Sequence, residues 1–131
     1  MKKTGILNTH ICSLIAELGH QDMIAIVDAS VSIPEEVKKI DLVLTLGIPS
    51  LEDTMKAVLE DMESNEIIIA METEDENQGA FNTISTLAGD RKLTRVSNEQ
   101  LKLMLKKCRG VIRCGEGSPY SSLLIKSASI F

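Results

Sequence analysis

Two histidines, His10 and His20, are the only side chains in this 131-residue sequence that ordinarily exchange protons near neutral pH. His20 is the better placed for acid–base work. It follows Gly19 at the end of a segment with helical apolar spacing. A helix C-terminus favours a positive charge by roughly 0.3–1 kcal/mol, and a nearby carboxylate, Asp22 or Asp28, would add to that. The plain alternative is a histidine that only caps the helix. His10 lies off the apolar stripe of that segment and reads as a surface or subunit-contact residue.

Asp28 closes a short apolar run. A carboxylate at the end of a strand can hold sugar hydroxyls or orient an imidazole. It can equally start a turn by bonding neighbouring backbone groups. Near the C-terminus, Arg113-Cys114-Gly115-Glu116-Gly117-Ser118-Pro119-Tyr120 can bring backbone amides close to a ligand. It lacks the Gly-Lys-Ser/Thr ending of a phosphate loop. Cys114 has no evident histidine partner to activate it as a nucleophile. The cysteines, Cys12, Cys108 and Cys114, fit no zinc spacing, and the histidines and carboxylates form no metal pattern. No metal is expected. An odd number of thiols suits a reducing compartment, so a cytoplasmic location is expected.

The elements that must position these residues alternate between helix and strand. Asn8 can cap a helix from Thr9 to Leu18, with Ile11, Leu14, Ile15 and Leu18 on one face and Gly19 as its stop. Met23 to Val27 reads as a buried strand and Leu42 to Leu46 as a second, broken by Gly47 and Pro49. Ser50 caps a helix striped by Leu51, Met55, Val58, Leu59 and Met62, and Ile67 to Ala70 is a third strand. The acidic stretch Glu74 to Gln78 reads as a loop, and Phe81, Ile84 and Leu87 as a helix. Thr94 to Val96 is a short strand, followed by a capping box of Ser97 and Gln100. Val111 to Arg113 and Leu123 to Lys126 complete the strands.

This alternation predicts one 1–131 domain, an α/β/α sandwich around a mostly parallel or mixed sheet of about six strands. Ligands of open α/β sheets lie beyond the carboxyl ends of the strands, which points to Asp28, Glu72 and the Arg113–Glu116 turn. Composition narrows the partners. With 44% hydrophobic and 25% charged residues the chain is an ordinary globular protein, and a net charge of −5 argues against nucleic acid. No run approaches the roughly 20 apolar residues of a membrane span, so no membrane partner is expected.

Several stretches, in order and spacing, resemble the D-ribose pyranase and L-fucose mutarotase family, and the pyranases most. They are Gly5-Ile6-Leu7-Asn8, Leu18-Gly19-His20-Gln21-Asp22, Asp28-Ala29, Ile33-Pro34, Ile40-Asp41-Leu42 and Gly47-Ile48-Pro49. Val111-Ile112-Arg113, Gly115-Glu116, Ser118-Pro119-Tyr120 and the terminal Phe131 follow. The resemblance implies an enzyme that interconverts the pyranose and furanose forms of D-ribose or a related aldose. It implies an α/β/α fold, no cofactor, and a ring-shaped homo-oligomer, commonly a decamer. It makes His20 the catalytic residue and Asp28 a sugar-binding residue. Tyr120 matches a pocket tyrosine that often crosses a subunit boundary, with Ser121 and Ser122 beside it. A single imidazole would serve both proton transfers of ring opening and closure, at gains typical of acid–base catalysis, about 10²–10⁴-fold.

The sequence departs from that pattern around the sugar. Asn98 stands where many pyranases have a second histidine, Ser122 where they commonly have Asn, and Ser30 where they have Gly. The proton-transfer residue is kept while the positioning residues change. Two other readings remain: a diverged, non-catalytic sugar-binding ring protein, and an aldose–ketose isomerase on the same scaffold.

Overall fold

In the computed structural model, which describes residues 1–131, the run Met23–Val27 forms β1 near the centre of a six-stranded sheet. The other strands are β2 (Lys39–Asp41), β3 (Ser64–Ala70), β4 (Lys92–Val96), β5 (Gly110–Arg113) and β6 (Leu123–Ser127), in the order β2-β5-β1-β6-β3-β4. β1 and β2 each pair parallel with β5, and β3 pairs parallel with β4. β6 runs antiparallel between β1 and β3. Every strand but β6 therefore ends at the same edge of the sheet, and β6 begins there.

Alternation along the strands makes two apolar layers. Ile24, Ile26, Ile67, Ile69, Ile112, Leu123 and Ile125 pack against α1 (Thr9–Glu17), α2 (Leu51–Asp61) and α4 (Gln78–Ala88). Ala25, Val27, Ile68, Ala70, Val111 and Leu124 pack against α5 (Asn98–Met104) and the 3-10 turn Leu105–Lys107 that continues it. The result is the expected α/β/α sandwich with a mixed sheet. Each fully buried Ile or Leu stabilises it by roughly 1.5–3 kcal/mol. The α5 face is the more thinly covered, and the cleft described below opens on it.

Polar residues set the helix starts. Asn8 accepts from Ile11 N–H at 3.0 Å and Ser50 from Asp53 N–H at 3.0 Å. Ser97 accepts from Gln100 N–H at 3.1 Å, while the return bond of a full capping box is not made. The Gly-rich turn after β5 closes against the loop at Pro49, where Gly115 N–H donates to Pro49 O at 2.7 Å. A Cβ at Gly115 would lie 2.5 Å from Ile48 N, so only glycine fits there.

Two expectations are corrected. The second strand is Lys39–Asp41, not Leu42 to Leu46, because only residues 39–41 pair with β5. Leu44 and Leu46 instead protrude, at 80% and 75% exposure. The acidic stretch expected as a loop is helical: α3 spans Met71–Glu76 and α4 starts at Gln78. Glu72 and Glu74 lie in the first turn of α3, where the helix dipole favours negative charge, and Thr73 is buried beneath it.

Candidate active site

The edge where the parallel strands end carries a cleft of about 450 Å³, within the usual size of small-molecule sites. Asp28 follows β1 directly and is 6% exposed. One carboxylate oxygen accepts from Ser30 N–H at 2.9 Å and Ser30 Oγ at 2.6 Å. The other accepts from Ser122 Oγ at 3.3 Å, and Ser122 Oγ itself accepts from Asp28 N–H at 3.2 Å. Asp28 thus closes its own turn, and it also lines the cleft. Ser122, just before β6, clamps it from the next strand.

Asn98 opens α5. Its backbone N–H donates to both carboxylate oxygens of Glu72, at 3.1 and 3.3 Å, while its side-chain amide has no partner in the chain. Tyr120 lies across the cleft at φ 55°, a left-handed conformation that costs a non-glycine residue about 1–2 kcal/mol. The surrounding turn is held from α3 and α4. The buried Thr73 hydroxyl donates to Tyr120 O, and Asn77 Nδ2 donates to Pro119 O at 2.6 Å. The phenol of Tyr120 makes no hydrogen bond of its own.

The structure therefore brings together Asp28, Asn98, Tyr120 and Ser122 of the expected residues. Ser121 is fully buried beside them and its Oγ donates to Ser118 O at 2.8 Å, so it does not line the cleft. Of the other strand-end groups, Arg113 forks onto Asp41 at 3.0 and 2.7 Å and reaches Ala29 O. Glu116 holds Ser118, and Glu72 stands behind Asn98. Lys102 was not singled out in the sequence, and Ser30 only as a departure from the family pattern, yet both line the cleft. Lys102 is four residues after Asn98 on α5, the spacing of one helix face, and its ammonium is unpaired.

His20 is elsewhere. It is exposed in the turn between α1 and β1, at the opposite edge of the sheet. α1 ends at Glu17 with Leu18 as its cap, so His20 lies beyond the last helical turn. Neither Asp22 nor Asp28 bonds its ring. Asp22 accepts from Gly19 N–H at 2.8 Å and pairs with Arg109 at 3.0 Å. The ring's one partner is Ser129 N–H, which donates to Nδ1 at 3.1 Å. Tyr120 and Asp28 share one cleft within the chain, so the residue separated from the cleft is His20.

The thiols do not contribute. Burial pushes Cys108 up to about 12 and Cys114 upward as well, so neither forms a thiolate readily. Around the cleft stand one carboxylate, one free amide, one free phenol and one free ammonium. These donors and acceptors share the cleft lining with the apolar Val31, Leu101 and Leu105.

Such a fold and cleft define a small α/β/α domain with a polar-lined cleft at the carboxyl edge of its sheet. The chain belongs to the RbsD / FucU transport protein family, which it matches over residues 1–130. It is 44% identical over 131 residues to the D-ribose pyranase of Clostridium novyi, with 100% of both chains covered. It is 41% identical, at the same coverage, to the D-ribose pyranase of Thermoanaerobacter sp.. The structure of Bacillus subtilis RbsD complexed with D-ribose superposes with a TM-score of 0.97 at 37% identity over 100% of both chains. The fucose mutarotase of Streptococcus pneumoniae, in complex with L-fucose, shares the fold at a TM-score of 0.76 and 18% identity over 95% of each chain.

Proposed function

We propose that this chain is a mutarotase that interconverts the pyranose and furanose forms of D-ribose or a closely related aldose. The observation that carries the reading is the cleft itself: Asp28, Asn98, Tyr120 and Ser122 converge in a chain that matches D-ribose pyranases from end to end. Ring opening breaks the bond between the anomeric carbon and the ring oxygen. The anomeric O–H pair becomes the carbonyl, its proton leaves, and the ring oxygen gains one. Closure on another hydroxyl reverses the exchange. Protons lost and gained are equal, so the reaction needs no oxidant, reductant or cofactor.

His20 is the proton-transfer residue of this proposal, with Asp28, Asn98, Tyr120 and Ser122 holding hydroxyls. Because His20 lies at the far edge of its own sheet, each site is completed by a neighbouring protomer. The exposed Ile130 and Phe131, which follow Ser129, support burial of that edge in an assembly. A homo-oligomeric ring, of decamer size as the resemblance implies, provides the arrangement. The three unpaired cysteines suit a cytoplasmic location. No helix is long and apolar enough to cross a membrane.

A second reading has one observation in its favour. Asn98 cannot titrate, so a cleft that merely holds a sugar is consistent with the same residues. Saturation-transfer NMR across a panel of pentoses and hexoses separates the two. A mutarotase transfers saturation between ring forms at catalytic protein concentrations, whereas a binder changes only line widths at stoichiometric ones.

A further inference from the structure

The C-terminal tail holds the His20 ring. Gln21 N–H donates to Ser127 O and Ser127 N–H to Asp22 O, both at 2.8 Å, which fixes the tail beside the histidine turn. Ala128 N–H donates to Glu63 O at 3.0 Å. Ser129 Oγ then accepts from Phe131 N–H at 3.2 Å and donates to Phe131 O at 2.9 Å, folding the last residues back. Between these anchors, Ser129 N–H points at His20 Nδ1 at 3.1 Å.

An Nδ1 that accepts a hydrogen bond carries no hydrogen, so the neutral ring bears its hydrogen on Nε2. Nothing in the chain bonds Nε2. We infer that Ser129 is a positioning residue, whose backbone N–H holds His20 as the Nε2–H tautomer, so that the neutral ring offers a sugar oxygen a donor and not a base. This rests on the proposed role of His20 and refines it.

A neutral imidazole can act as an electrophilic donor at a reacting oxygen. The Ser129 N–H stabilises the negative charge that gathers on the ring as the Nε2 proton moves towards the sugar ring oxygen. As the bond to the anomeric carbon breaks, the ring oxygen takes that proton. The proton of the anomeric hydroxyl passes to water, and water returns one to Nε2, so the ring ends as it began. His20 supplies the acid half of the exchange and water the base half. This differs from the single imidazole serving both halves that the sequence suggested.

The test is ¹⁵N NMR of the assembled, labelled protein at alkaline pH, where two-bond proton–nitrogen correlations distinguish the tautomers. A His10→Gln background leaves His20 as the one histidine signal. The expected result is an Nε2–H ring in wild type and in Ser129→Ala, which keeps the N–H. Ser129→Pro, which lacks it, should give a mixed population and lower kcat by about ten- to hundred-fold at nearly unchanged KM. If Ser129→Pro does not fold, an ester in place of the Ala128–Ser129 amide deletes the same N–H. An Nδ1–H ring in wild type overturns the inference. So does a variant in which tautomer and kcat fail to change together. Full activity in His20→Ala would instead remove the proposed role of His20 and leave the tautomer result standing.

Discussion

His20 and Asp28 stand at opposite ends of β1, and at about 3.3 Å per residue its five residues hold them roughly 16 Å apart. No side-chain rotation closes that gap. If both act on one sugar, they belong to different protomers.

This separation predicts complementation. His20→Ala and Asp28→Asn rings should each be inactive. Rings assembled from equal amounts of the two should regain activity at roughly a quarter of their sites, those where a wild-type edge meets a wild-type cleft. Exchange assays on co-expressed, differentially tagged protomers read this directly. Hybrid rings no more active than either parent would mean that His20 does not serve a neighbour's cleft.

Asn98 and Ser122 are expected to set sugar preference. A site built to bond particular hydroxyls discriminates because a mismatch leaves buried polar groups unpaired, at roughly 1–3 kcal/mol each. Asn98→His with Ser122→Asn should raise ribose exchange by about tenfold. Most of the gain should come from position 98, since the Asn98 amide is free while the Ser122 hydroxyl already clamps Asp28. A double variant no faster than wild type on ribose would make both substitutions neutral.

Much of the fold was legible in the residues, and the exceptions share a cause. β1, β3, β5 and β6 are apolar runs bounded by polar residues, and Asn8, Ser50 and Ser97 cap helices as their types suggest. The misplaced strand failed because Leu42, Leu44 and Leu46 alternate like a strand, while pairing with Arg113 and its neighbours decides which residues join the sheet. α3 was missed because its apolar content is low and its stability comes from Thr73 and the adjoining α4. For the candidate site, the strand-end rule pointed to Asp28 and the resemblance to Asn98, Tyr120 and Ser122, which all line one cleft. Ser121 lies buried beside the cleft and not on it, because neighbours on an extended segment point to opposite sides. The distance of His20 from the cleft follows from the direction of β1, which no local pattern reports.

Acid stability should depend on Asp41. The hydrogen bonds from Arg113, opposed by burial, hold its carboxyl below its ordinary value of 3.8. A depressed folded-state value stabilises the protein above the ordinary carboxylate range and loses that contribution as pH falls through the lower folded value. Tm should therefore fall on acidification below about pH 4. Asp41→Asn should lower Tm at neutral pH and weaken that decline. An Asp41→Asn protein with the wild-type Tm–pH curve would show that the fork contributes nothing.

Thiol reactivity should follow burial. A maleimide at neutral pH should label Cys12, which is partly exposed, and spare Cys108 and Cys114 until the protein unfolds. Prior labelling at Cys12 should leave sugar exchange unchanged. Rapid native labelling of Cys114 with loss of activity would reopen the cysteine as a participant.

The most direct measurement of the central claim is the rate at which saturation passes between the pyranose and furanose anomeric signals of D-ribose, with catalytic amounts of wild type or His20→Ala. The account predicts exchange well above the uncatalysed rate with wild type. With His20→Ala it predicts a fall of about 10²-fold or more, with the variant still folded and assembled. Exchange equally fast in both proteins, or no faster than in buffer with wild type, would contradict it.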